Sequence, residues 1–155
     1  WKNIHPDQND TPQDLNGVQK VNLEKNIKTY LALEKAIQKE LISSSLSVTS
    51  GGLGIALTKA CVGGMAGCRV SLKGICGSLA SADVRLFSES QGRILVSVSP
   101  KNVSEFEKII RNIFYAKLGK VAKDGKVVIK DKTKVIETNV KKLHTIYHNF
   151  SNNIK

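Results

Sequence analysis

The residues best placed to do chemistry fall in two strings. One is Leu46-Ser47-Val48-Thr49-Ser50-Gly51-Gly52-Leu53-Gly54-Ile55-Ala56-Leu57, and the other is Leu86-Phe87-Ser88-Glu89-Ser90-Gln91-Gly92-Arg93. The first reads as a hydroxyl-rich loop feeding the N-terminus of an apolar helix. Such an end presents unpaired backbone N–H groups and the positive end of the helix dipole, so it suits a phosphate or a carboxylate. Gly51 and Gly52 would let that anion approach the backbone closely; the structural alternative is that Ser50 caps the helix and the glycines make a tight turn. The second string sets four polar side chains and a glycine directly before an apolar strand at 94–98. Either those side chains meet a ligand or they close a loop by bonding to backbone.

Other candidates are weaker. His144 and His148 stand four apart on a predicted helix and could share a metal, but no third ligand lies nearby in sequence. Cys61, Cys68 and Cys76 are spaced seven and eight apart, which matches neither a zinc pattern nor a paired disulfide framework, so buried reduced thiols are expected. Serines are many, yet none is paired by position with a particular histidine as nucleophile and base.

These residues must be positioned by a single core. The chain has 155 residues, 41% hydrophobic and 5% aromatic, with a formal net charge of +11 that suits contact with anions. Nucleic acid is an unlikely anion here, because the lysines scatter through 20–39 and 117–142 without interleaved aromatics or a nucleic-acid motif. No run is long and apolar enough for a membrane helix and no signal segment opens the chain, so a cytoplasmic protein is expected.

In chain order, residues 1–20 are polar and aperiodic and read as a linker from a missing preceding domain, with the folded domain at 21–155. Asn22 caps a first helix whose stripe Leu23, Ile27, Tyr30, Leu31, Leu33, Ile37 and Leu41 should face the core, ending near Ser43. A second helix spans 53–62, and strands are expected at 68–72 and 94–98. Asn102 and Glu105 form a capping box for a helix through Phe106 and Ile113. Strands 115–121 and 126–130 should pair as a hairpin about Asp124-Gly125, followed by a short run at 134–136. Asn139 caps a last helix, with Val140, Leu143, Ile146, Tyr147 and Phe150 on its buried side. The order points to an α+β fold, with a mixed or antiparallel sheet packed against helices.

Together, Ser-Gly-Gly-Leu-Gly-Ile-Ala-Leu at 50–57, the glycine-rich exit at 63–67, Leu-Phe-Ser-Glu-Ser-Gln-Gly-Arg at 86–93 and Leu-Gly-Lys-Val at 118–121 resemble the C-terminal domain of the aminoimidazole-ribonucleotide-synthase-related superfamily. Within it the likeness is to the last domain of the small, multi-subunit type of phosphoribosylformylglycinamidine synthase, running from about Val21 to Phe150. The Ser-Glu-Ser-Gln-Gly-Arg string favours that type over aminoimidazole ribonucleotide synthase or selenophosphate synthetase; a basic module binding nucleic acid or a partner protein is the alternative of another class.

The resemblance implies a purine-biosynthetic C–N ligase that uses ATP and Mg2+ in the full enzyme, with glutaminase and small subunits and the preceding domains as partners. It implies substrate or phosphate contacts at Glu89, Ser90, Gln91, Gly51 and Gly52, and no catalytic or metal-binding residue in this chain. The family carries His-Asp where this chain has Leu46-Ser47, so a metal-binding carboxylate is missing there. A chain of this kind is expected to be inactive alone, to hold no cofactor tightly, to expose an apolar patch and to be able to form a homodimer.

Overall fold

The computed structural model describes residues 2–4, 21–75, 81–131 and 134–152. Five helices and eight strands alternate in it: β1 (Lys2–Ile4), α1 (Leu23–Gln38), β2 (Ile42–Ser47), α2 (Gly52–Gly63), β3 (Gly67–Ser71), α3 (Ala82–Phe87), β4 (Ile94–Val98), α4 (Val103–Ile109), β5 (Tyr115–Lys117), β6 (Gly119–Ala122), β7 (Lys126–Lys130), β8 (Lys134–Asn139) and α5 (Val140–Asn152). The strands form two four-stranded sheets, β2-β4-β1-β5 and β6-β3-β7-β8. The first is antiparallel throughout; the second is mixed, because β3 runs parallel to β7. The α+β expectation holds, with two sheets rather than one.

Alternation along β4 explains the layering. Ile94 and Val96 point into a smaller core with Ala36, Leu41, Phe106 and Ile110, which α1 and α4 cover. Leu95 points the other way, into the main core of Leu53, Leu57, Leu72, Leu86, Val127 and Ile129 between the sheets. Full burial of each such side chain contributes roughly 1.5–3 kcal/mol, so α2, which brings Leu53, Ala56, Leu57 and Cys61, is the central helix of the molecule.

Several expectations are corrected. Residues 2–4, assigned to the linker, pair with both β4 and β5, while residue 1 and residues 5–20 lie outside the described residues. Lys2 is buried, its ammonium 2.6 Å from Glu107 and over the Tyr115 ring. α1 ends at Gln38 rather than near Ser43, and Ile42–Ser47, with the first two residues of the expected loop, is an edge strand, β2, with Ser44 and Ser97 hydroxyls 2.6 Å apart across the pair with β4. Asn22 does cap α1, but the stripe Asn26, Thr29 and Ala36 is buried, while Leu23, Ile27, Tyr30, Leu31 and Ile37 are about half exposed or more. Periodicity reveals that a helix has an apolar face, not what lies against it.

The capping box does not form. Asn102 donates instead to the carbonyls of Glu40 and Leu41 at the α1–β2 turn, and Glu105 pairs with Lys39. The run 115–121 breaks at Leu118, so that β5 joins the first sheet and β6 the second. Asp124-Gly125 does reverse the chain, but β6 and β7 do not pair, because β3 lies between them. The turn passes so close over the start of β3 that a Cβ on Gly67 would sit 2.2 Å from the Lys126 carbonyl oxygen. Asn139 caps α5 as expected, accepting from Lys142 N–H at 2.9 Å. Val140 and Leu143 pack inward while Ile146 and Tyr147 are exposed; the Phe150 side chain lies outside the described residues.

Candidate functional site

Antiparallel pairing of β2 with β4 sets Ser47 opposite Ile94, and the Val48 N–H continues the ladder to the Arg93 carbonyl at 2.9 Å. The two sequence strings therefore meet at one end of the first sheet. They enclose a cavity of about 340 Å³ lined by Ser47, Thr49, Ser50, Glu89, Gln91 and, from α1, Tyr30. Of the anticipated residues, Glu89 and Gln91 line it directly. Ser90, Gly51 and Gly52 lie behind the wall.

The N-terminus of α2 is closed from within. Gly51, not Ser50, is the N-cap, at φ 82°, with no side-chain cap bond. Its N–H donates to Glu89 Oε1 at 2.7 Å, so the anion at this helix end is the chain's own carboxylate. The Gly52 N–H donates to the Thr49 carbonyl at 2.9 Å. Gly52 has φ 63°, and a Cβ there would meet the Leu86 and Ser88 carbonyl oxygens at 2.6 and 2.7 Å. The glycines thus let α2 abut the end of α3. A phosphate would have to displace Glu89 to reach the Gly51 N–H.

Arg93, 4% exposed, fixes the loop from below. Its Nη2 donates to the Ser88 carbonyl and its Nε to the Ser90 carbonyl at 3.4 Å. Gly92, at φ 79°, turns the chain between them. Beside Glu89 and Arg93, which are engaged with the loop itself, the lining offers a ligand neutral donors and acceptors: the hydroxyls of Ser47, Thr49 and Ser50, and the Gln91 amide. Tyr30 was missed as a lining residue, although its polar tip in an apolar stripe marks it as a side chain fit for a wet boundary. In sequence Arg93 is only the end of a polar string; its burial rests on pairing with the nearby Ser88 and Ser90 carbonyls, which the turn at Gly92 brings round.

The remaining candidates stay apart from this cavity. His144 and His148 stack with ring centroids 4.2 Å apart, and no group of three His, Cys, Asp or Glu side chains gathers among the described residues. Cys61 and Cys68 are buried free thiols side by side; the hydrogen bond the Cys61 thiol donates to Cys68, together with burial, holds it well above its ordinary range. Cys76 lies outside the described residues. Among these residues no helix is long and apolar enough to cross a membrane.

Residues 2–132 match the family model described as AIR synthase related protein, C-terminal domain. Among curated proteins, the chain is 32% identical over 146 residues to a phosphoribosylformylglycinamidine synthase subunit PurL of Pelagibacter ubique, covering 93% of the chain and 19% of that protein. It is 30% identical over 131 residues to the corresponding subunit of Thermococcus sibiricus, covering 83% of the chain and 18% of that protein. The chain spans less than a fifth of the length of these relatives. In fold it is similar to Thermotoga maritima PurL complexed with ATP, with TM-score 0.75 and 21% identity over 82% of the chain and 23% of that protein. A hydrogenase maturation protein HypE in complex with ATP is more distant, with TM-score 0.57 and 17% identity over 70% of the chain and 39% of that protein.

Proposed function

The chain belongs to the family described as AIR synthase related protein, C-terminal domain, and from that membership we propose that it works as the C-terminal domain of a phosphoribosylformylglycinamidine synthase. In this reading the whole enzyme uses ATP to phosphorylate the amide oxygen of formylglycinamide ribonucleotide, and ammonia derived from glutamine displaces the phosphate in de novo purine biosynthesis, in the cytoplasm. The observation that carries it is the 32% identity to a PurL subunit over 93% of the chain.

The donor set limits what this domain contributes. Magnesium takes hard oxygens, usually including carboxylates, whereas residues 46–50 offer hydroxyls and backbone, and Glu89 is turned to the Gly51 N–H. These residues do not fit a magnesium ion. With the Gly51 and Gly52 N–H groups both engaged, the loop does not fit a triphosphate either. The cavity suits an uncharged polar portion of the substrate, such as hydroxyls or an amide, held by Gln91, Ser50, Thr49 and Ser47. Glu89, in the cavity wall, and Ser90 act as positioning residues, Glu89 on α2 and Ser90 through its carbonyl on Arg93. Gly51 and Gly52 permit the close packing.

The ATP and magnesium sites and the catalytic groups then belong to the parts of the enzyme that this chain does not match. The exposed face of α1, with Leu23, Ile27 and Leu31, is where a neighbouring domain of the same enzyme packs. Glutaminase and small subunits complete the assembly. The isolated chain, assayed with ATP, magnesium, ammonia and formylglycinamide ribonucleotide, is expected to release no phosphate above a heat-treated control. Heat-sensitive phosphate release would overturn this division of labour.

A further inference from the structure

The second sheet buries one face and leaves the other open. Cys68, Val70, Val127 and Ile129 point into the main core, so their neighbours in β3 and β7 point outward. The register then places Lys120 and Val128 on either side of Arg69, and Lys130 beside Ser71. With Lys73 and Lys126, these five cations surround an open cavity of about 790 Å³. Like charges set directly opposite on paired strands are destabilising, and Lys120 faces Arg69 in that way. Edge protection against strand pairing would explain a lysine on β6. It does not explain Arg69 on β3 or Lys126 and Lys130 on β7, which are interior strands.

The counter-charges present are few. Asp124 pairs with Arg69, and Asp131 is held by the buried guanidinium of Arg85 at 2.6 Å. Val128 is the aliphatic side chain that faces the cavity; those of Val70 and Leu118, also at its lining, turn into the main core. Among the described residues no aromatic side chain lines it, so bases would have nothing to stack on. A second copy of the chain, with net charge +11, would bring like charge to like. An aliphatic side chain inside a charged rim suits a protein contact.

We propose that the outer face of the second sheet docks an acidic segment of a partner protein, with an aliphatic side chain seated over Val128 and carboxylates paired to Lys120, Arg69 and Lys130. The site is separate from the β2–β4 cavity and does not depend on the activity proposed above.

The test uses the whole chain and three probes: a short glutamate-rich peptide with one central leucine, the same peptide with glutamine in place of leucine, and a short oligothymidylate. The leucine peptide should bind and shift the amides of Arg69, Val128 and Lys130. The glutamine peptide should bind more weakly. Reversing Lys120 and Lys130 together (Lys120→Glu, Lys130→Glu) should weaken the leucine peptide by about tenfold, a difference of about 1.4 kcal/mol. Reversing Lys101 and Lys108, which line another basic groove between α1 and α4, should leave it unchanged. Equal losses from both reversals would mean net charge alone and would overturn the proposal. So would oligothymidylate binding at this face as tightly as the peptide, or peptide binding without shifts there. The amide shifts on the native chain decide the matter even if the reversed variants fold poorly.

Discussion

The N-terminus of α2 and the outer face of the second sheet are opposites. At α2 a motif that looks made for an anion is already filled: Glu89 takes the Gly51 N–H, the Thr49 carbonyl takes that of Gly52, and Arg93 holds the carbonyls of Ser88 and Ser90. On the sheet, lysines that look scattered in sequence gather with Arg69 around the exposed side of Val128. A recognisable motif can be spent on packing, and an unremarkable set of residues can be assembled by topology into a charged surface.

The contrast is broken most sharply at Gly52. Gly52→Ala adds a Cβ against two carbonyl oxygens in a left-handed conformation, so the cost should be about 3 kcal/mol or more, read as a fall in urea midpoint. A cost below about 1 kcal/mol would mean that α2 and α3 do not abut as described. Next comes Glu89→Ala, which removes the helix's internal anion. It should lower stability by about 0.5–2 kcal/mol while opening the Gly51 N–H, so inorganic phosphate should then shift the Gly51 amide in the variant and not in the native chain. Phosphate shifts of equal size in both would show that Glu89 does not hold the site.

A third test uses pH. The Asp124 carboxyl is held below its ordinary range, first by the Lys126 N–H and then by Arg69. A depressed carboxyl adds stability above its unfolded pKa and loses it as pH falls through the folded value. The loss therefore lies at and below the usual aspartate range, and Asp124→Asn should flatten the acid limb of a stability profile there. An unchanged limb would remove Asp124 from the account. The smallest effect is expected on the sheet: Lys120→Gln should change stability by no more than about 0.5 kcal/mol, in the stabilising direction, because it relieves the facing charge on Arg69. A clear loss would mean that Lys120 is already paired within the chain.

How much of this was legible depends on the range of the signal. The helix at α2, the strands β3 and β4, and the caps at Asn22 and Asn139 follow from local pattern, and the structure keeps them. Asp124-Gly125 announced a reversal correctly, but nothing local says that β3 will occupy the space between β6 and β7. Likewise the run 115–121 carries no sign that its halves belong to different sheets. Each of the two strings at the cavity is legible by itself, but their meeting comes from the β2–β4 pairing; that Glu89 bonds to Gly51 is legible only as the alternative in which the loop closes on backbone. Tyr30 escaped because its stripe was read as core, when much of that face is open.

The proposed work of this chain, as the C-terminal domain of a phosphoribosylformylglycinamidine synthase, can be tested within a relative. The most direct measurement replaces the matching segment of the Pelagibacter ubique PurL subunit with this chain and follows ATP-dependent formation of the amidine product, with ammonia as nitrogen donor. The account predicts that the chimera, shown by circular dichroism to be folded, turns over substrate, while neither the truncated subunit nor this chain does so alone. A folded chimera that binds ATP and forms no product would contradict it.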